Sequence, residues 1–333
     1  MKGKKLMRKI AVIGSGSWGI ALSNHLAECG NKVSIWSFTE EEKNAINNEH
    51  RCIFIPGSKI NENVVCSNDI EEVVNGSDFI LHVTPSKFTR STLNQYKDFV
   101  GNKPIVICSK GLEDSSLSTL DDVIREELKG ARIAAISGPS YATEVLNHIP
   151  TAVILASEDE EILNTLPEIF SNEYMRIYKS RDIKGVEIGG ALKNIIAFGA
   201  GICTELGYGM NAQAALITRG LAEISRLGVK MGAQKETFYG LSGLGDLILT
   251  CSSDESRNRR AGRLIGQGKT IEETKKEIGM TIESFDNINV AKKLSDKYEV
   301  EMPIVDAAYD IINNNVSAKD EAVKLMTRSL KWE

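Results

Sequence analysis

Eight short β-type runs alternate with helical stretches in the first half of the chain, at residues 9–13, 32–36, 64–67, 78–84, 104–109, 132–137, 151–156 and 174–178. No strand signal follows residue 181. This order constrains the fold more than any other feature. Several runs are continuously apolar, such as "AVI" and "PIVIC", as strands covered on both faces are. Strands alternating with helices predict a mostly parallel sheet, and ligands of such sheets bind outside the carboxyl ends of the strands. Gly14, Pro85, Gly111 and Gly138 punctuate four of the runs and all fall on that edge.

The first of these turns carries a more specific signal. Gly14, Gly16 and Gly19 form a GxGxxG, with Ser17 and Trp18 inside it, directly after a predicted strand and at the opening of a predicted helix. In that setting the glycines give a tight turn, close backbone approach to a pyrophosphate and close helix–strand packing. The free amides and positive dipole end of the helix complete an anion site. A dinucleotide-binding, Rossmann-type domain is therefore expected over residues 1–180. Strand two ends in Trp36, Ser37, Phe38 and Thr39, with the first acid at Glu40. No strand-end acid opposes a 2′-phosphate and no strand-end arginine grips one, although Arg51 could come near, so NAD and NADP are both admitted.

Residues 181–333 form the second expected domain, all-helical, with helices at 183–206, 211–227, 235–240, 245–250, 255–266, 270–277, 284–298 and 303–313 and a tail helix beyond. A sheet domain followed by a helical one leads us to expect a small-molecule site in a cleft between them. "GGALKNIIAFGAG" places Lys193 in an apolar helix. At about 100° per residue its neighbours within about 60° are Val186, Gly189, Gly190, Ile196, Ala197 and Ala200. The opposite side carries Ile188, Ala191, Ile195, Phe198 and Ile202. A helix apolar all round is a buried one, and buried lysines are rare because an ammonium is costly to dehydrate. Most lysines in such a place send the amine out to water. Here small residues on its own face leave room for a partner group.

Four other stretches read as site material. "CSKGLE" sets Lys110 at the end of a strand. "SGPSYATE" ends another strand at Gly138 and begins a helix with Pro139 near its first turn, freeing amides around Ser140 and Ala142. "GLSGLGDLILTC" sets Asp246 at a helix start after a glycine-rich turn. "SSDESRNRRAG" puts Arg257 and Arg260 on one side of a helix capped by Asp254, with Ser256, Arg257 and Asn258 clustered near its N-terminus as a phosphate cradle. A solvated surface face is the ordinary alternative for such a charge run.

The formal net charge of -5 argues against a nucleic-acid binder and offers no polybasic membrane arm. No run reaches the roughly 18 uncharged apolar residues of a membrane span. The basic start before "AVIGSGSWGIAL" mimics a signal peptide, but glycines break the apolar run and no cleavage site follows. Six scattered cysteines without a CxxC pair or metal-ligand spacing fit a reducing compartment, so a cytoplasmic protein is expected.

The motifs "IGSGSWGIAL", "KGLE", "ISGPSYATE", "GGALKNIIAFGAG", "NAQAALITRGLAEISRLG", "LSGLGDLILTC" and "SRNRRAG" stand in one order from Ile10 to about Leu330. In this the chain resembles the bacterial NAD(P)-dependent glycerol-3-phosphate dehydrogenases. The resemblance implies reversible hydride transfer between NAD(P)H and dihydroxyacetone phosphate, giving sn-glycerol 3-phosphate for glycerophospholipid synthesis. It implies Lys193 as general acid/base, Lys110 as a second active-site lysine touching substrate and cofactor, and Asn194, Asp246 and Thr250 as the rest of the catalytic constellation. Substrate contacts fall on Gly138, Ser140, Ser256, Arg257 and Asn258, besides the lysines and Asp246. Cofactor contacts fall on Ser17, Trp18, Phe38, Ala142, Arg257, Thr281 and Glu283, besides the glycines and Lys110. Phe38 stands where many relatives carry a polar or basic residue, and "TIESFDN" replaces the family's usual "VVEG". The residues before Met7 extend beyond the usual start, which makes Met7 a candidate initiator. A homodimer is a candidate assembly.

Two other readings use the same layout. β-Hydroxyacid dehydrogenases also pair such a sheet domain with helices and a buried lysine, but "SGLGDL" followed by the arginine-rich helix separates this chain from them. A non-catalytic NAD(P) sensor would have no need for two lysines, an aspartate and a phosphate-type arginine.

Overall fold

The computed structural model describes residues 7–330 and 332. The residues before Met7, and with them the question of which methionine initiates, lie outside the described residues. The chain divides into two compact units. Among the described residues, one holds those up to Ser109 together with Leu120–Ile183; the other holds Lys110–Thr119 and those from Lys184 onward. A boundary near Ser180 takes no account of this excursion, in which Lys110 leaves the strand edge and joins the helical unit.

In the first unit the eight strands are β1 (Lys9–Ile13), β2 (Lys32–Trp36), β3 (Val64–Ser67), β4 (Phe79–His82), β5 (Ile105–Ile107), β6 (Ile133–Ser137), β7 (Thr151–Ser157) and β8 (Met175–Ser180). They form one sheet in the order β3-β2-β1-β4-β5-β6-β7-β8. Pairing is parallel through β6, with Val12 opposite Ile35 on one side and Leu81 on the other. β7 then runs antiparallel to β6, and β8 parallel to β7. The reason lies in the connection after β6. Its only helix, Ala142–Leu146, has five residues and advances about 7.5 Å. That is less than half the roughly 17 Å of a five-residue strand, so it does not carry the chain back to the starting edge. Val12, Leu81, Val106 and Ala134 from the central strands are fully buried, with Ile20, Leu22 and Leu26 of the first helix over them.

The helical unit is built around Ile183–Glu205. By length and composition this helix could cross a bilayer, but 89% of its most apolar stretch is buried by protein. It is a core helix, packed with Leu221, Ile224, Phe238, Leu247, Phe285 and Ile288. Helix Arg257–Gly266 crosses it at backbone contact. A Cβ on Gly201 would stand 2.0 Å from the Arg259 carbonyl oxygen, and one on Gly262 would stand 1.9 Å from that of Phe198. Glycine at both positions is what permits this crossing. The cap of the second helix differs from expectation. Ser256 is the N-cap, its hydroxyl accepting from the Arg259 amide at 3.2 Å. Asp254 lies farther out and pairs with the Arg259 guanidinium, because the helix begins at Arg257 and only the residue just before its first turn can reach those amides.

Candidate active site

The small residues beside Lys193 make room for a backbone turn. A Cβ on Gly189 would lie 2.8 Å from the Ser242 carbonyl oxygen. The wide π-type turn Leu241–Gly245 therefore sits directly against this helix face and delivers Asp246 as the first residue of the next helix, Asp246–Ser252. The Lys193 amine donates to Asp246 Oδ1 at 2.5 Å and to the Thr250 hydroxyl at 2.7 Å. Thr250, one turn beyond Asp246, donates in turn to the Asp246 carbonyl oxygen at 2.6 Å, which fixes its lone pairs toward the lysine. Lys110 closes the group by donating to Asp246 Oδ2 at 2.7 Å. Each carboxylate oxygen thus serves one ammonium, all four residues belonging to the helical unit.

Burial decides the electrostatics. Lys193 is 6% exposed and Asp246 1%. Burial drives the Lys193 amine down to about 8, helped by Lys110 and opposed by Asp246 and, more weakly, Glu283. Burial alone would raise the Asp246 carboxyl, but Lys110 and Lys193 outweigh it and hold Asp246 below the usual carboxylate range. With both lysines charged, two ammoniums share the single Asp246 carboxylate. An amine ready to shed or take a proton near neutral pH is what general acid–base chemistry requires.

Asn194, one step round the helix, donates to Glu283 Oε2 at 2.8 Å. Helix Glu283–Lys297 is held to the same core helix by Asn287, which donates to the Ala191 carbonyl at 2.9 Å. Its Ser284 amide donates to Asn258 Oδ1 at 2.9 Å, so Asn258 and Glu283 are locked to neighbouring positions. Asn287 escaped the sequence reading, since nothing in its local pattern separates it from a surface asparagine. Ser256 is 4% exposed and its oxygen serves as the helix cap. The guanidinium of Arg257, half-buried in the first turn of that helix, makes no hydrogen bond or ion pair among the described residues. A guanidinium left without a counter-ion at a helix N-terminus favours an anion. Arg260, expected to share its side, is exposed. Thr281 is half-buried in the link before Ile282, the N-cap of helix Glu283–Lys297.

In the sheet unit the GxGxxG turn has the form its spacing predicts. Gly14 has φ +121°, and a Cβ there would lie 3.1 Å from the Val83 carbonyl group. A Cβ on Gly19 would lie 2.0 Å from the Gly14 oxygen, while Gly16 faces open space with nothing within 4 Å. Gly16 is the N-cap of helix Ser17–Glu28 and offers no side chain to its first amides. The Trp18 indole Nε1 is buried without a hydrogen-bond partner among the described residues. Open space over the second glycine, uncapped amides and an orphaned donor fit a dinucleotide pyrophosphate. Phe38 is 85% exposed, edge-on to Trp36. Gly138 closes β6, and the Ser140 hydroxyl donates to its carbonyl at 3.0 Å. Pro139 does not open the following helix. It stands in the loop, because Tyr141 is the N-cap and Ala142 the first helical residue.

Comparison with known proteins also divides the chain in two, with residues 110–119 counted in the first part. Residues 9–163 match the NAD-dependent glycerol-3-phosphate dehydrogenase N-terminus and residues 182–323 the C-terminus of that family. A protein of Agathobacter rectalis named glycerol-3-phosphate dehydrogenase (NAD(P)+) is 43% identical over 329 residues, covering 98% of each chain. One of the same name from Fusobacterium nucleatum is 44% identical, covering 98% of this chain and 99% of its own. The crystal structure of glycerol-3-phosphate dehydrogenase from Coxiella burnetii superposes with a TM-score of 0.94 at 36% identity, covering 97% of this chain and 99% of its own. Matched in both halves and over nearly its whole length, the chain belongs to the NAD-dependent glycerol-3-phosphate dehydrogenase family.

Proposed function

We propose that this chain reduces dihydroxyacetone phosphate reversibly to sn-glycerol 3-phosphate at the expense of NAD(P)H, a supply reaction for glycerophospholipid synthesis. The observation that carries the reading is the Lys193 amine, buried, bonded to Asp246 and Thr250 and lowered to about 8.

A bound nicotinamide dinucleotide supplies the hydride that reduces the carbonyl carbon. The chain's own groups manage the charge that appears on the oxygen. Lys193 gives its Nζ proton to that oxygen in reduction and takes it back in oxidation. An arginine could not, since it does not deprotonate near neutral pH. Asp246 orients both amines and stays ionised throughout. Lys110 polarises the same oxygen by its charge. Thr250 holds the Lys193 amine in one rotamer, and Asn194 and Glu283 fix the helix face beside it. Arg257, with the Ser256 and Asn258 turn, takes the substrate phosphate and so holds the three-carbon body in place. Gly138, Ser140 and Ala142 belong to the same reading as further substrate and cofactor contacts. Gly14, Gly16, Ser17, Trp18 and Gly19 seat the pyrophosphate, with Phe38, Thr281 and Glu283 as further cofactor contacts.

We place the protein in the cytoplasm, a reducing compartment that suits six scattered cysteines without a CxxC pair. The direct test follows the loss of reduced-nicotinamide absorbance with dihydroxyacetone phosphate. Lys193→Met is expected to bind dinucleotide normally while turnover falls by roughly 10²–10⁴-fold. Near-normal turnover in that variant would rule out the assignment.

A further inference from the structure

Glu42 departs from the role its position would give it. Thr39 is the N-cap of helix Glu40–Glu49, and its hydroxyl accepts from the Glu42 amide at 3.3 Å. A glutamate three residues after a threonine cap ordinarily reaches back to the cap's own amide, as Glu273 does for Thr270. Glu42 does not. The Thr39 amide donates to Ser37 Oγ at 3.2 Å, and the Glu42 carboxylate turns toward the sheet instead. There its Oε2 accepts from Ser37 Oγ at 2.6 Å, at the end of β2, and from Ser15 Oγ inside the GxGxxG turn. Ser15 is 6% exposed and Ser37 fully buried. The other carboxylate oxygen, Oε1, accepts no hydrogen bond among the described residues, and Glu42 itself is half-exposed.

The space between the glycine-rich turn and the end of the second strand is where a Rossmann site receives the adenosine ribose, ordinarily with an acid on the strand itself. Here the strand ends in Ser37 and the exposed Phe38, neither of them an acid. We infer that Glu42, reaching back from the following helix, takes the place of that missing acid and makes the enzyme select NAD(H) over NADP(H). The inference rests on the dinucleotide reading above. A ribose 2′-hydroxyl can donate to the free carboxylate oxygen, whereas a phosphate on that position meets a fixed negative charge. Two basic groups of the same segment are already paired with other carboxylates. Lys43 donates to Glu40 at 3.2 Å, and Arg51, which the sequence leaves as a candidate phosphate ligand, donates to Glu49 at 2.6 Å.

The test is equilibrium binding of NADH and NADPH to the full chain, by tryptophan fluorescence quenching and calorimetry, without reference to turnover. The unaltered protein is expected to bind NADH at least about tenfold more tightly, since the two dinucleotides differ by a charge placed beside a carboxylate. Glu42→Gln keeps the shape and one acceptor but removes the charge, and is expected to bring the two affinities within about threefold, chiefly by tightening NADPH. Ser37→Ala, which frees the carboxylate from one of its anchors, is expected to move the ratio in the same direction. Glu41→Gln, on the exposed side of the same turn, is expected to leave it unchanged. Equal affinities in the unaltered protein, or an unchanged ratio in Glu42→Gln, would overturn the inference while leaving the dinucleotide reading intact. Failure to bind either dinucleotide would overturn both.

Discussion

Lys193 and Asp246 meet at 2.5 Å inside the helical unit, with almost none of either side chain exposed. Asp246 does not simply neutralise the lysine, because its second oxygen is held by Lys110. The carboxylate is divided between two amines, and the more deeply buried one is left with a lowered pKa.

The sign of the pH dependence follows. Reduction needs Lys193 protonated, so its rate at saturating substrate is expected to fall as pH rises through about 8, while oxidation rises over the same range. Asp246 works to raise the Lys193 pKa, so Asp246→Asn is expected to move both limbs to lower pH as well as lowering turnover. A limb that stayed in place, or moved to higher pH, would contradict the coupling. Leaving two amines facing each other without their anion should also cost about 3–5 kcal/mol of stability, read by denaturant unfolding.

Arg257 has no protein counter-ion among the described residues, and its loss should be felt by the phosphate alone. Arg257→Ala is expected to lower kcat/KM for dihydroxyacetone phosphate by roughly 10–100-fold, the worth of one charged hydrogen-bonded contact. Activity on unphosphorylated dihydroxyacetone should change little. Equal losses on both substrates would mean that the arginine is structural.

Gly201→Ala tests the helix crossing that presents Arg257. Its new methyl group would stand 2.0 Å from the Arg259 carbonyl, a backbone atom that cannot rotate away. The helices must part, at a cost of about 1–3 kcal/mol or more. Thermal unfolding should shift down, and the KM for the phosphorylated substrate should rise as Arg257 moves with its helix. A variant with unaltered stability would show that the two helices can slide freely.

Glu223 is a stability device remote in role from the chemistry. From helix Met210–Lys230 its carboxylate accepts the Ile304 amide at 2.9 Å and the Val305 amide at 3.4 Å, in the first turn of helix Pro303–Asn313. Burial raises it to about 7, against the pull of those amides and Arg226, with Asp306 pushing the same way as burial. The folded protein therefore holds a proton that the unfolded chain has released. Its contribution to stability is full below the ordinary glutamate range and is lost as pH rises through about 7. Glu223→Gln should flatten the stability profile over that window, and Glu223→Ala should cost about 1–2 kcal/mol as a lost helix cap. A profile in Glu223→Gln as steep as that of the unaltered protein would place the titrating group elsewhere.

The eight strands and the GxGxxG turn were legible because their signals are local. Runs of four to seven residues with alternating helices define the sheet, and three glycines at fixed spacing define the turn. The helix around Lys193 was equally legible, its apolar surface leaving no face for water. Local spacing did not reveal that the small residues beside that lysine accommodate the turn carrying Asp246, since positions 189 and 242 are brought together only by packing. Nor did it reveal that Lys110 leaves the strand edge for the helical unit.

The same limit applies to Glu42. Its place three residues after Thr39 predicts a local capping bond, and only the folded chain shows its carboxylate turned to Ser15 and Ser37. By itself, then, the sequence determined the elements, their order and the residue types available for the chemistry, because these depend on periodicity and on backbone preferences within a few residues. Tertiary structure alone decided which amine faces which carboxylate and how far burial shifts each. Those are properties of distance and dehydration, and both arise only when segments far apart in the chain exclude water together.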